Sequence, residues 1–189
     1  MGKSRMEAFS DGVLAIIITI MVLELKIPHG NQPGALKEVM PVFFSYVLSF
    51  VNIGIYWNNH HHMLQAANKV NGAILWANIH LLFWLSLFPF ATAWMGENHF
   101  STWPVALYGF ISFMSGMAYY LLAQCLVQIH GKDSTLGKAL GKDKKGLRSL
   151  FIYILGIILC FVNPWLGFSM YVLVAGIWFL PDRRIEKRL

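Results

Sequence analysis

Arg5-Met6-Glu7-Ala8-Phe9-Ser10-Asp11-Gly12 leads directly into Val13-Leu14-Ala15-Ile16-Ile17-Ile18-Thr19-Ile20-Met21-Val22-Leu23, and Glu24 closes the run. The eleven residues 13–23 carry one polar side chain, Thr19. As a helix they rise about 16 Å, half of a hydrocarbon core about 30 Å thick. Carboxylates at both ends make a lipid-facing helix of this kind costly. Two arrangements relieve the cost. The helix is shielded in a bundle with its carboxylates paired, or its ends face water and the short apolar segment spans only a narrow waist. The second arrangement describes an hourglass pore.

Outward from this segment the chain remains apolar. Of its 189 residues, 57% are hydrophobic and only 13% are charged, with a mean hydropathy of +0.54. A soluble domain of that length would need more polar surface. Six apolar runs, at about 9–27, 39–58, 72–95, 103–129, 147–162 and 164–180, predict an all-α membrane protein with six transmembrane helices in one domain, residues 1–189. Pro28, Asn163-Pro164 and Pro181 end runs, Pro41 is expected in a first helical turn, and Pro89 predicts a kink. Trp57, Trp94, Trp103, Trp165 and Trp178 fall near the ends of the runs, where an aromatic belt would put them. Cys125 and Cys160 both lie in apolar runs and form no disulfide framework. A cleaved signal peptide is disfavoured by Asp11 and Glu24, which bracket the first run, and by the lack of a small-residue cleavage site.

Charge orients the chain. With six spans, one side receives Lys3, Arg5, Lys69, Lys132, Lys138, Lys142, Lys144, Lys145, Arg148, Arg183, Arg184, Lys187 and Arg188. The other receives Lys26 and Lys37. Thirteen basic residues against two predict both termini in the cytoplasm. The net charge of +6 follows from this bias and from contact with anionic lipid, without nucleic acid.

In the first span, Ile16, Ile20 and Leu23 recur at i, i+4 and i+7 and share one face, with Thr19 beside them. Spacing alone reads equally as a packing stripe between helices, with the Thr19 hydroxyl bonded to its own i−4 carbonyl.

The Arg5-Met6-Glu7-Ala8-Phe9-Ser10-Asp11 segment resembles the R-x-x-x-F-S-D signature that opens the first helix in the lysosomal potassium channel (transmembrane protein 175) family and its prokaryotic relatives. The span count and chain length agree with that likeness across the whole chain, although only the first helix carries a sharp motif. The resemblance implies an integral protein of a prokaryotic cell membrane, a homotetramer of six-helix subunits in contact with lipid. It conducts potassium ions passively, with no other cofactor. It implies that the first helix lines the pore, with Ile16, Ile20 and Leu23 as successive apolar rings and Thr19 as a pore-facing hydroxyl. The chain has no T-V-G-Y-G filter, which fits this family and not ordinary potassium channels.

Arg5, Ser10 and Asp11 are expected to form an electrostatic cluster that fixes the first helix; the plainer reading is helix capping by Ser10 and Asp11, with Arg5 snorkelling to headgroups. The second run ends in Trp57-Asn58-Asn59-His60-His61-His62, and the third carries Trp76, Asn78 and His80. Family likeness points to Trp57, His61, Asn78 and His80 as the hydrogen-bonding partners of the first helix, leaving His60 and His62 for a solvated loop. Three consecutive helical histidines point about 100° apart and cannot converge on a metal ion alone. Further along, Gly109, Ser112, Ser115 and Gly116 suit close helix packing, and the lysine- and glycine-rich stretch 131–146 reads as a cytoplasmic loop.

Two other functional classes fit the sequence less well. A secondary transporter would want an inverted repeat, broken helices or a membrane-central carboxylate, none of which is evident. An enzyme would want a phosphate loop, a nucleophile elbow or a zinc-binding H-E-x-x-H, and none is present.

Overall fold

The computed structural model describes residues 2–131, 133–140 and 144–179. Every long element is a helix: α1 (Lys3–Leu23), α2 (Leu36–Gln65), α3 (Gly72–Ser86), α4 (Phe88–Glu97), α5 (Thr102–His130), α6 (Thr135–Leu140), α7 (Lys144–Cys160) and α8 (Pro164–Phe179). A single 3-10 turn, Pro33–Ala35, leads into α2. Among the described residues, four segments are long and apolar enough to cross a membrane: Lys3–Leu23, Pro33–Gln65, Gly72–Glu97 and Thr102–His130. The last two apolar runs form the shorter helices α7 and α8, of 17 and 16 residues, about 24–26 Å each.

Boundaries differ from expectation in informative ways. The first helix begins at Lys3, nearly three turns before the apolar core, and ends at Leu23, where the Glu24 backbone N–H bonds to Met21 and Val22 carbonyls. Ser10 and Asp11 therefore sit inside the helix and cap nothing. Likewise α2 starts at Leu36, which places Pro41 in its second turn and not its first, and α2 runs on through His60, His61 and His62 to Gln65. The triple histidine is thus helix, not loop. A helix stops where its last carbonyls find other donors, not where polarity begins.

Pro89 acts as expected. The span 72–97 is divided at Leu87, with Pro89 in the first turn of α4, because proline lacks the N–H that would bond Leu85 and its ring crowds that carbonyl.

The helices pack around one buried core in which Tyr108, Tyr171 and Phe88 are the largest fully enclosed side chains. One half of the bundle comprises α1 against α2, α3 and α4; in the other, α5 packs on α7 and α7 on α8. Two glycines let backbones touch. A Cβ on Gly96 would lie 2.6 Å from Val42 Cα, so α4 meets α2 main chain to main chain. A Cβ on Gly167 would lie 2.7 Å from the Gly156 carbonyl, which closes the α7–α8 hairpin. The turn between them is capped by Asn163, whose Oδ1 accepts from Trp165 N at 2.9 Å, with Pro164 at the first helical position. Ser112 and Ser115 of α5 are buried and donate to the carbonyls four residues back at 2.8 Å each.

Candidate functional site

α1 has two unlike faces. Met6, Ser10, Leu14, Ile17 and Met21 follow spacings of four, four, three and four, and all are buried against α2, α3 and α4. Ile16, Ile20 and Leu23 lie outside this stripe, 58%, 43% and 78% exposed. The apolar row is therefore no packing stripe within one chain. Beside it, the exposed Thr19 donates to the carbonyls of Ala15 and Ile16, 3.0 Å each.

The buried face is held by directed hydrogen bonds. Ser10, fully buried, donates to the Met6 carbonyl at 2.8 Å and accepts from Asn78 Nδ2 of α3 at 2.9 Å. The Asn78 Oδ1 in turn accepts from His60 Nε2 of α2 at 2.7 Å. Three helices thus meet in one chain of bonds, which sets the rotation of α1 about its own axis. One turn away, Asp11 accepts from Trp57 Nε1 at 3.1 Å. Trp57 stacks on His61, whose Nδ1 lies 3.5 Å from the Glu7 carboxylate. At the start of α1, Lys3 donates to the Gln65 carbonyl at 3.2 Å. Beyond its other end, Lys26 pairs with Glu97 at 2.5 Å, and that carboxylate raises the Lys26 ammonium above its ordinary value.

Ser10, Asp11, Trp57 and Asn78 therefore come together as a polar network. The histidine that joins Asn78 is His60, only 1% exposed, and not His61, which faces Glu7. His80 does not reach α1; it accepts from Trp84 within α3 at 3.0 Å. Arg5 is exposed and has no ion-pair partner among the described residues of the chain. The reason is helical phase: Arg5 and Asp11 are six residues apart, about 240° around the axis, whereas only i+3 and i+4 neighbours face each other. Sequence reasoning missed His60, Glu7 and the Lys26–Glu97 link. The signal for His60 was its i+3 relation to Trp57, readable only once α2 is known to continue through the histidines. No group of three metal-ligating side chains occurs among the described residues.

The profile of the family described as the endosomal/lysosomal potassium channel TMEM175 matches residues 5–89, a stretch that holds all of α1 but its first two residues, the whole of α2 and α3, and every hydrogen bond of the Ser10–Asn78–His60 network. Over 189 residues the chain is 53% identical to a protein of Chryseobacterium sp. (strain P1-3) named a potassium channel, covering 100% of this chain and 98% of that one.

The chain belongs to the TMEM175 family.

The crystal structure of a lysosomal potassium-selective channel TMEM175 homolog from Chamaesiphon minutus matches with a TM-score of 0.80 and 25% identity, covering 95% of this chain and 97% of that one. Chicken TMEM175, named an endosomal/lysosomal proton channel, is 34% identical over 103 residues, which are 48% of this chain and 21% of that protein. This TMEM175 chain is thus a membrane protein from a family of ion channels.

Proposed function

We propose that the chain is one subunit of a potassium-selective channel in which four copies place α1 around a central axis. The carrying observation is the pair of faces on α1: a buried stripe fixed by Ser10, Asn78 and His60, opposite an exposed stripe of Ile16, Ile20 and Leu23. A helix whose rotation is set by hydrogen bonds on one side, and whose other side is a narrow apolar row, suits a pore wall. Four such rows make stacked apolar rings. Such a waist acts through width, partial dehydration and dewetting, and potassium, which holds its hydration shell less tightly than sodium, passes it more easily. Thr19 fits a supporting role. Its hydroxyl proton is committed to backbone carbonyls, so its remaining lone pairs face outward as an acceptor for a cation.

In this reading α7 and α8 complete six spans, and the thirteen-to-two basic asymmetry puts both termini in the cytoplasm. Arg5, exposed and without an ion-pair partner among the described residues, is left for a contact with a neighbouring subunit or with headgroups.

The test is recording in reconstituted bilayers with potassium on one side and sodium on the other. Reversal close to the potassium equilibrium is expected. A reversal that follows an imposed pH gradient instead would assign proton conduction, and the absence of unitary steps would point to a transporter. Ile16→Asn should raise conductance and weaken discrimination against sodium. An unchanged ratio in a well-folded tetrameric variant would remove Ile16 from the filter. Native mass in detergent, together with crosslinking of Ile16→Cys, tests the tetramer.

A further inference from the structure

The uncovered row of α1 does not stop at Ile16. Toward the N-terminus, Gly12, Phe9 and Arg5 continue it at spacings of four, three and four. At about 100° per residue, Arg5 falls within about 20° of Ile16 around the helix axis. Burial agrees with that phase: Phe9 is 57% exposed, Arg5 is exposed, and a Cβ on Gly12 would meet nothing within 4 Å.

Charge separates along the same line. Lys3, Arg5, Glu7 and Asp11 are the four charged side chains of α1. Lys3 and Asp11 lie about 140° to either side of Ile16, and Glu7 lies opposite it. All three are engaged with α2: Lys3 donates to the Gln65 carbonyl, Asp11 accepts from Trp57, and Glu7 faces His61. Of the four, only Arg5 lies on the open row, and it has no ion-pair partner among the described residues.

We propose that Arg5 sets a preference for monovalent over divalent cations at the N-terminal mouth of the pore. The inference rests on the reading of α1 as a pore wall. Four copies then place four guanidinium groups, always charged, around that mouth. Arg5 precedes Ile16 by eleven residues, about 16 Å along the helix. At physiological ionic strength the screening length is about 8 Å, so the waist lies about two screening lengths further in. The ring therefore thins cations at entry without making the waist itself anion-selective. Depletion by a positive potential rises exponentially with ionic charge. A divalent cation is thus depleted by the square of the factor that potassium meets.

The experiment is recording of the full-length channel in neutral phosphatidylcholine bilayers, in symmetric potassium, with Mg²⁺ added on the N-terminal side. At about 0.15 M ionic strength, Arg5→Gln should raise potassium current entering from that mouth roughly two- to fivefold. Current entering from the opposite mouth should stay nearly constant. The Mg²⁺ concentration that half-blocks from the N-terminal side should fall by about the square of that factor, roughly four- to twenty-five-fold. Both shifts should fade near 1 M salt, where the screening length is about 3 Å. Arg5→Lys, which keeps the charge, should restore both quantities. Where Arg5→Gln alone yields no channels, tetramers with one or two variant subunits among wild-type ones should show the shifts in steps. Unaltered Mg²⁺ block in assembled Arg5→Gln channels, while Ile16→Asn still changes the potassium-to-sodium ratio, overturns the inference and spares the pore wall. If neither substitution moves its own quantity, the pore-wall reading falls and the inference with it. Equal factors for potassium and Mg²⁺ overturn a charge mechanism, and shifts confined to bilayers containing anionic lipid overturn it in favour of a headgroup contact.

Discussion

The α1–α2–α3 group and the α5–α7–α8 group are both rich in apolar residues and are held together in different proportions by hydrogen bonds and close packing. In the first, α1 is fixed by hydrogen bonds through Ser10, Asn78, His60, Asp11 and Trp57. In the second, helices approach chiefly through glycines, with Gly167 against the Gly156 carbonyl and Gly109 against Tyr171, and Trp178 Nε1 of α8 donates to Ser149 Oγ of α7 at 2.8 Å. Lipid tails are as apolar as leucine, so hydrophobicity barely distinguishes a packed helix face from a lipid-facing one. Close packing solves this by shape and needs partners on both sides. Hydrogen bonding solves it by direction, and leaves the other face of α1 uncovered. In the proposed channel, where α1 presents its apolar row to a central axis, the second solution is the one that serves.

The comparison breaks most visibly at the tight hairpin. Gly167→Leu would drive a side chain into the main chain of α7, where nothing flexible can yield, and should cost about 3 kcal/mol. Chemical denaturation in detergent should show it, with the effect confined to folding and no change in selectivity of the surviving channels.

The network side should respond less and in a different manner. Asn78→Leu strands the buried His60 ring and frees Ser10 from its α3 partner, at about 2 kcal/mol. Adding His60→Leu should restore most of that stability, since replacing both partners removes the unmet group. The double variant should still conduct abnormally, because α1 has lost the bonds that set its rotation. If stability is not restored, His60 is held by packing and not by Asn78.

Smaller still is Trp57→Phe, which removes one half-exposed bond to Asp11 and should cost about 1 kcal/mol. The smallest effect on folding belongs to Ile16→Asn. Its side chain touches little within the subunit, so the stability change should stay within about 0.5 kcal/mol while the potassium-to-sodium ratio falls. A large loss of folded protein would instead place Ile16 in a dry interface between subunits.

The Lys26–Glu97 link sharpens the contrast from outside the membrane. The carboxylate raises the Lys26 value, so its contribution is fully present below the unfolded-state value and is lost only as pH rises through the higher folded one. Melting curves between pH 6 and 9 should therefore show no dependence attributable to this pair.

Much of the molecule was legible in the chain itself. Apolar runs located all the long helices, Pro89 and Pro164 marked the breaks, and Arg5 with Phe9-Ser10-Asp11 carried the family likeness. Boundaries slipped at 9–27 and 39–58 because a polar residue can continue a helix as readily as an apolar one. The site was half legible. Ser10, Asp11, Trp57 and Asn78 were found from the motif and from the cost of polar groups in lipid, and His61 does reach α1, through Glu7 and not through Asn78; Arg5 has no ion-pair partner among the described residues and His80 bonds within α3.

The sequence by itself determined membrane residence, helical class and the residue types of the network, because those follow from composition and from the requirement that backbone groups in lipid bond internally. Only the tertiary structure decided that His60 and not His61 joins Asn78, and that Ile16, Ile20 and Leu23 are the uncovered row of α1. Adjacent helical residues point 100° apart, so those assignments depend on the rotation of each helix, and that rotation is set by side chains on other helices far away in the chain.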